Sequence, residues 1–310
     1  RGGINVTRTF TTGQTSYALK CALLPDVPGN SGCYRPIEIT APEGSVLNAL
    51  HPASVRQRHR VGAHIFGAVL AALSEVLPDS VVAGPGFLVT TVVFGRSPGD
   101  SSLLHSYNFS AGGMGASAEI DGISTIMCPA LAANVPVELF EVAVPLLVQR
   151  KEYLADSGGP GRQRGGLGQE VAYRLLPGFQ GTATVSVYAG GQYVPPFGLQ
   201  GGRGGRPADI KIDGRVLSRE ERLACTGALE MQDPSLVFGF TSAGGGGYGP
   251  PEERAVEEVI LDVRDGLVSA AQASDVYGVV VEPETLTVDQ DATAARRKVL
   301  RDARLAAAHD

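Results

Sequence analysis

The segment Ser157-Gly158-Gly159-Pro160-Gly161-Arg162-Gln163-Arg164-Gly165-Gly166-Leu167-Gly168 decides how this chain folds. Half of its residues are glycine, which lacks a Cβ and therefore suits tight turns and backbones that approach each other closely. Such a run does not support a helix, because each glycine costs about 1 kcal/mol relative to alanine there. Further glycine clusters occur at residues 111–116, 197–202 and 244–249. The sequence therefore predicts turns and extended segments through much of its middle.

The composition supports the same conclusion. The chain has 310 residues, of which 43% are hydrophobic and 19% are charged. That balance is typical of a folded globular protein and excludes a mainly disordered chain. The 41 glycines and 20 prolines make up about a fifth of the residues, against a usual ~12%. This excess argues against a mainly helical protein.

One long amphipathic helix is predicted at about residues 55–77. Apolar residues recur there every three to four positions, and Pro78 ends the pattern. Upstream of it, residues 17–24 fit either a strand or a buried helix. Residues 35–40 alternate between polar and apolar side chains, which predicts a strand.

One strand is predicted soon after the long helix, and the chain from about residue 146 onward is predicted to be rich in strands. Alternation and enrichment in Val and Thr predict strands at residues 86–94, 171–176, 182–188, 209–212, 215–217 and 236–241. Residues 177–181 have the length of a hairpin loop between two of these strands. Asp213-Gly214 is the strongest short hairpin signal in the chain.

The tail of the chain returns to a helical pattern. One helix is expected from about Val256 to a stop at Gly266, a second is expected after a Ser269 cap, and a third over residues 291–309. The predicted fold class is therefore α+β. Its expected regions are a mixed α/β region with the long helix (1–145), a β-rich, glycine-punctuated region (146–250) and a helical tail (251–310).

Charge and hydropathy exclude two classes of partner. The formal net charge is −6, so the chain as a whole does not attract nucleic acid or an anionic membrane. No apolar run reaches the ~20 residues that a bilayer-spanning helix needs. The four cysteines form no Cys-x-x-Cys pair, which fits a reducing compartment, and a cytoplasmic location is expected.

Motifs for ATP and metal binding are missing from the sequence. None of the four lysines follows a glycine, so there is no P-loop, and an ATP site is expected on another subunit. His59 and His64 are close in sequence, but five residues on a helix place them about 140° apart. They cannot easily share one ion, and no metal site is expected within this chain.

The glycine clusters allow two interpretations. Tight turns and close backbone packing explain them without any ligand, and composition favours this explanation. Alternatively, backbone amides in the clusters bind an anion beside Arg162 and Arg164.

The order of these clusters resembles the hydantoinase B / 5-oxoprolinase family. The similarity is strong at residues 157–168 and 244–249, and it continues through 261–269 to Tyr277-Gly278-Val279-Val280. It also covers Pro28-Gly29-Asn30-Ser31-Gly32-Cys33-Tyr34-Arg35-Pro36-Ile37 and Ala41-Pro42-Glu43-Gly44-Ser45. In all, it extends over about residues 17–282.

The resemblance implies that two kinds of subunit divide the work. The A-type partner uses ATP to activate a carbonyl by phosphoryl transfer, and the B-type partner holds a divalent metal and completes hydrolysis or carboxylation. Family members resemble this chain in their later half, so it is expected to be the C-terminal part of a B-type subunit. The earlier half, with the metal motifs, is expected to be a further partner.

The leading hypothesis is an ATP-dependent hydrolase of a cyclic amide, with a hydantoin, a lactam or a 5-oxoproline-like ring as substrate. Under this hypothesis a set of residues would shape a pocket for the substrate or an anion: Asn30, Gly112, Gly113, Gly115, Arg162, Arg164, Gly165 and Gly166. The catalytic residues cannot be assigned.

Two segments depart from the family pattern and leave the substrate open. Residues 58–64 read Arg-His-Arg-Val-Gly-Ala-His where many members have Thr-Ser-Gln, and Met127-Cys128-Pro129-Ala130 replaces a stretch containing His and Thr-Asn. These departures lean toward an alternative, the subunit of an acetone/acetophenone-type carboxylase. A second alternative is a non-catalytic remnant or assembly module.

Overall fold

The computed structural model describes residues 3–96, 102–130, 134–225 and 229–307. The helices in these ranges are α1 (Arg8–Leu23), α2 (Ser31–Tyr34), α3 (Arg58–Leu73), α4 (Val137–Ala143), α5 (Arg219–Cys225), α6 (Val256–Arg264), α7 (Ala270–Asp275) and α8 (Gln290–Ala307). The strands are β1 (Val89–Arg96), β2 (Leu103–Ser110), β3 (Leu146–Tyr153), β4 (Gln169–Leu175), β5 (Thr182–Ala189), β6 (Asp209–Ile212), β7 (Arg215–Val216), β8 (Leu229–Met231), β9 (Val237–Thr241), β10 (Val281–Glu282) and β11 (Thr287–Val288). The α+β class is confirmed.

Extended glycine-rich segments pack directly against one another in the centre of the molecule. We call these segments the glycine bundle: residues 83–86, 112–116, 157–168, 196–205 and 243–249. Backbone hydrogen bonds join them, as where the Gly113 amide donates to the Ala243 carbonyl (3.0 Å) and the Gly166 amide to that of Met114 (2.8 Å). A Cβ on Gly113 would collide with the Gly166 carbonyl oxygen, so only glycine fits there.

Two antiparallel sheets extend from the bundle and share one core. Their strand orders are β2-β1-β5-β8 and β3-β4-β9-β6-β7. Val93 and Val185 of the first sheet belong to the same buried cluster as Tyr173, Ile210 and Phe240 of the second. Side chains of β4 alternate between buried and partly buried, because one face of its sheet packs into this cluster.

The prediction of a hairpin around residues 177–181 is wrong. The strands before and after this loop were predicted correctly, but β4 pairs with β3 and β9, whereas β5 pairs with β1 and β8. The loop therefore carries the chain from one sheet to the other. Loop length alone cannot distinguish this crossing from a hairpin, because both strands have one buried face.

The second predicted hairpin is confirmed. β6 and β7 pair antiparallel, and Asp213 and Gly214 between them have φ angles of 50° and 77°. Positive φ at both central residues is the geometry that matches the twist of a two-residue hairpin.

The N-terminal predictions had mixed outcomes. The long helix is confirmed as α3, which is shorter than predicted, and residues 17–23 lie in α1, so the helical alternative was right. The strand predicted at residues 35–40 is wrong. Pro36 cannot donate a ladder hydrogen bond, and the short helix α2 ends immediately before Arg35 in a turn.

The tail packs as a small unit around its own core. Val259, Val268, Ala273, Tyr277 and Val279 are fully buried there. The Ser269 side chain accepts a hydrogen bond from the Gln272 amide, which confirms the predicted cap of α7. The three-region division of the chain stays a prediction, although the pairing of β1 with β5 joins strands from the first two regions.

Candidate functional site

A cavity of about 530 Å³ lies where α1, α3, the start of β1 and the end of β5 meet. Two loops, residues 127–130 and 190–194, complete its wall. Phe10, Phe87 and Met127 give the wall an apolar character. A concave, mostly apolar site with a few polar groups is the usual form of a small-molecule pocket.

The N-terminal half of α3 supplies the basic groups of the cavity. His59 and Arg60 lie in its first turn, and His64 follows one turn later, with its ring tilted by 46° against that of Phe87 at a centroid distance of 4.1 Å. The two histidines predicted to point apart thus contact different parts of one cavity.

Among the described residues of the cavity wall, Arg60 is the one arginine or lysine. Its guanidinium lies over the Tyr188 ring, 5.5 Å from the centroid, and Nη1 donates to Gln57 Oε1 at 2.9 Å. Burial lowers the pKa of Arg60 from its usual value, which the nearby Tyr188 and Tyr107 partly offset. The cavity wall, as far as the chain is described, contains no Asp or Glu.

The surroundings of the two histidines favour their neutral forms. Burial, followed by the charges of Arg60 and Arg58, lowers the pKa of His59 below its ordinary value of 6.5. Burial and Arg60 lower the pKa of His64 in the same direction. Among the described residues of the wall, Arg60 therefore carries a permanent positive charge, and the two imidazoles are shifted toward their neutral forms.

The opposite wall contains a phenol and a thiol that stay protonated. Burial, followed by Cys21, raises the pKa of Tyr17 to about 12. Burial, followed by the same Cys21, raises the pKa of Cys128 to about 11. Cys21 and Cys128 are free thiols. Since the thiolate is the nucleophilic form of cysteine, the protonated Cys128 is a poor nucleophile at neutral pH.

The eight site residues predicted from the sequence lie outside the wall of this cavity. Asn30 caps α2, where its Oδ1 accepts a hydrogen bond from the Gly32 amide at 2.8 Å. The predicted glycines, which belong to the glycine bundle, are Gly112, Gly113, Gly115, Gly165 and Gly166. Within the bundle, the Gly113, Gly165 and Gly166 amides donate to carbonyls of the chain itself. A role for these residues in binding a substrate or an anion stays a prediction.

The two predicted arginines have different surroundings. Arg162 Nη2 donates to the Ala118 carbonyl at 3.3 Å. Arg164 is buried, and its Nε lies 3.2 Å from Asp262 Oδ2. Arg164 therefore pairs with an acid 98 residues further along the chain.

Arg164 belongs to a buried ionic network that includes Arg254, Asp121 and Asp262. Arg254 is 2% exposed, and its two terminal nitrogens bind the Asp121 carboxylate at 2.8 and 2.7 Å. Its Nη2 also lies 2.9 Å from Asp262 Oδ2. The network joins the segments around residues 121 and 164 to helix α6.

A family profile described as Hydantoinase B/oxoprolinase matches residues 1–251. The chain belongs to this family. The resemblance inferred from the glycine clusters is therefore confirmed.

Two relatives of this Hydantoinase B/oxoprolinase chain come from Pseudomonas. The putative B-type subunit of a D-/L-hydantoinase from Pseudomonas sp. (strain NS671) is 30% identical over 92% of this chain and 47% of its own length. The beta subunit of the caprolactamase of Pseudomonas jessenii is 30% identical over 87% of this chain and 48% of its own length. The chain thus spans about half the length of these relatives.

Two solved structures have the same fold. The ATP-dependent caprolactamase of Pseudomonas jessenii superposes with a TM-score of 0.76 at 25% identity, covering 95% of this chain and 52% of its own. A nucleotide-free acetone carboxylase gives a TM-score of 0.78 at 22% identity, covering 98% of this chain and 45% of its own. The second similarity concerns the fold alone.

The described part of this Hydantoinase B/oxoprolinase chain does not fit a resident divalent metal. In residues 3–96, 102–130, 134–225 and 229–307, no three His, Cys, Asp or Glu side chains come close enough together to hold an ion. Within the same ranges, each helix is too short or too polar to cross a bilayer.

The cavity brings together the two segments that were expected to differ from the family pattern. His59, Arg60 and His64 come from residues 58–64, and Met127 and Cys128 come from the second segment. Sequence reasoning did not assign these residues to one site. The available signal was the basic start of α3, since cations at a helix N-terminus oppose the macrodipole and acids are the usual choice there.

Proposed function

We propose that this chain is part of the B-type subunit of an ATP-dependent enzyme that hydrolyses cyclic amides. The relatives named above support this proposal, because hydantoins and caprolactam both contain a ring amide. A further relative, the 5-oxoprolinase of Dictyostelium discoideum, is 26% identical over 80% of this chain and 18% of its own length. Its name also refers to a compound with a ring amide.

The cavity beside α3 is the observation that carries the proposal. Its volume of about 530 Å³ accommodates a small ring, and Phe10, Phe87 and Met127 offer apolar surface to the ring carbons. Gln57 and Arg60 provide hydrogen-bonding groups at one end. The cavity can therefore hold a cyclic amide and fix its orientation.

In this proposal the chain binds and positions the substrate, and other parts of the complex supply the activation. An A-type subunit uses ATP to phosphorylate the amide oxygen, which makes that oxygen a leaving group. The residues of this chain hold the ring, and the apolar wall limits the access of bulk water. Because the described residues do not fit a metal ion, no step is assigned to a metal in this chain.

Reconstitution tests the proposal. The chain is co-expressed with an A-type subunit and with the segment that covers the remaining half of its relatives. ADP release and ring opening are then measured with hydantoin, caprolactam and 5-oxoproline. We expect ring opening that requires ATP and the complete complex. Turnover by the chain alone would contradict the division of labour, and turnover that requires bicarbonate and a ketone would support the carboxylase alternative.

A pair of variants on α3 locates the substrate in the reconstituted complex. Ala63 lines the cavity, whereas Ala68 lies exposed on the same helix and outside the wall. Ala63→Phe fills the space and should lower kcat/KM by roughly tenfold or more, because small displacements of a bound substrate have large effects on rate. Ala68→Phe should leave kcat/KM unchanged. Equal effects of the two substitutions would show that the substrate binds elsewhere.

A further inference from the structure

We propose that Arg60 forms a carboxylate-binding subsite in the cavity, so that the substrate is an apolar ring carrying one carboxylate. The ring amide in this statement rests on the proposed function, whereas the carboxylate rests on the cavity alone. Neither the family nor the names of the relatives assign a role to Arg60.

The contacts of Arg60 leave most of its hydrogen-bonding capacity available to a ligand. A guanidinium has five N–H donors. In the described part of the chain, the Arg60 guanidinium donates one hydrogen bond, to Gln57, and its central carbon lies over the Tyr188 ring, 5.5 Å from the centroid. A cation–π contact restrains the guanidinium without using its N–H donors, which remain able to bind a carboxylate with two parallel hydrogen bonds.

The charge of Arg60 is not balanced by an acid of the cavity. The described wall of this cavity, and that of the smaller cavity next to it, contain no Asp or Glu. Arg56 and His105 in the smaller cavity add to the basic character of the region. A half-buried cation without a carboxylate costs free energy, which a bound anion would offset.

The start of α3 contributes to the same positive potential. Its first turn contains Arg58, His59 and Arg60, has no acidic residue, and receives no side-chain cap from Gln57. The N-terminus of a helix carries the positive end of the macrodipole. Three basic residues are therefore unfavourable there unless an anion binds nearby.

The amount of charge and the apolar wall favour a carboxylate over a phosphate. Burial and Arg60 lower the pKa values of His59 and His64, which favours their neutral forms, and Arg60 is the one arginine or lysine among the described residues of the main cavity wall. One cation matches a monoanion better than a phosphate dianion. The aromatic and aliphatic side chains around it match the ring that carries the carboxylate.

A binding experiment on the 310-residue chain without ATP tests the subsite. The probes are 5-oxoproline, its neutral carboxamide and inorganic phosphate, and binding is followed by ligand-detected NMR and calorimetry. We expect 5-oxoproline to bind roughly ten- to hundredfold more tightly than the carboxamide, as for a hydrogen bond between charged groups. Equal affinities, or no binding of either ring, would overturn the proposal. Tighter binding of phosphate would overturn the carboxylate assignment.

Variants at neighbouring arginines show whether Arg60 is responsible. Arg60→Met should reduce the affinity for 5-oxoproline to that for the carboxamide, and Arg60→Lys should retain part of the preference. Arg58→Met is the matched control, because Arg58 lies in the same turn and is not part of the described wall, although its guanidinium lies 6.0 Å from the centroid of the Phe10 ring. Thermal melts confirm that each variant is folded. An unchanged preference in Arg60→Met would overturn the proposal.

The subsite and the proposed function can fail independently. If the chain prefers the carboxylate but the complex has no ATP-dependent hydrolysis, the subsite stands and the proposed function fails. If the complex hydrolyses a neutral lactam and the chain shows no preference for 5-oxoproline, the proposed function stands and the subsite fails.

Discussion

Cys128 shows at the scale of one residue how burial controls chemistry in the cavity. Its thiol lies among Tyr17, Cys21 and apolar side chains, and its pKa is raised from 9.0 to about 11. The unfolded chain loses this proton near pH 9, whereas the folded chain keeps it up to about pH 11. The stability that the protonated thiol contributes is therefore complete below about pH 9 and is lost as the pH rises to about 11.

We predict that Cys128→Ala makes the stability of the protein less sensitive to alkaline pH. The free energy of unfolding of the wild type should fall by about 2 kcal/mol more than that of the variant between about pH 8.5 and 11. Urea denaturation at closely spaced pH values measures this difference. Cys33→Ala, which removes a thiol outside the cavity, is the control and should follow the wild-type slope. Parallel curves for wild type and Cys128→Ala would contradict the prediction.

Individual side chains also show which features of the site could not be predicted from the sequence. The basic residues of 58–64 were recognised as unusual, yet their convergence with Cys128 depends on the packing of α3 against a loop more than 60 residues away. Arg164 was assigned to anion binding because of its local glycines. Its acidic neighbour Asp262 lies 98 residues further on and cannot be identified from spacing.

At the scale of elements, the glycine bundle depends on backbones that touch. Gly113 cannot accept a Cβ without moving the Gly166 carbonyl. Gly13, by contrast, lies exposed in α1 with open space around the position of a Cβ. The same substitution at these two sites therefore separates close packing from helix propensity.

We predict opposite effects of alanine at these two glycines. Gly113→Ala should destabilise the protein by about 3 kcal/mol or more, because the surrounding atoms are backbone and cannot rotate away. Gly13→Ala should stabilise it by roughly 0.5–1 kcal/mol, the gain expected when glycine is replaced inside a helix. Chemical denaturation of both variants provides the test. A loss at Gly113 smaller than about 1 kcal/mol would mean that the bundle is loosely packed.

Elements with local signals were predictable, and their long-range partners were not. The Asp213-Gly214 hairpin and the Ser269 cap follow from the conformational preferences of a few adjacent residues. The pairing of β5 with β1 depends instead on residues about 90 positions apart. A strand has the same alternating pattern whichever sheet contains it, so residues 177–181 were mistaken for a hairpin loop.

At the scale of the whole molecule, the buried ionic network connects the tail to the glycine bundle. Asp262 of α6 contacts both Arg164 and Arg254, and Arg254 also binds Asp121. Removal of Asp262 would leave two buried guanidinium groups near each other with Asp121 and the more exposed Glu258 as their acidic partners. Breaking a buried pair in this way is costly, because the remaining charge stays in a medium that solvates it poorly.

We predict that Asp262→Asn destabilises the protein by about 3 kcal/mol and loosens the tail first. Denaturation gives the free energy of unfolding, and hydrogen exchange in α6 and α7 gives the local effect. Asp265→Asn is the matched control, since Asp265 follows the same helix but forms an exposed pair with Arg264. That control should leave the unfolding free energy essentially unchanged. Similar losses in both variants would argue against a structural role for the network.

The residues of the glycine bundle, which maintain the fold, are different from the residues that line the cavity. Many of its contacts are made by main-chain atoms, which are the same in every residue, and side chains such as Ser157 and Arg164 add further hydrogen bonds. The cavity residues on α3 and in the 127–130 loop lie at the margin of this framework. Substitutions at single positions of the cavity wall can therefore change the ligand preference while the fold is retained.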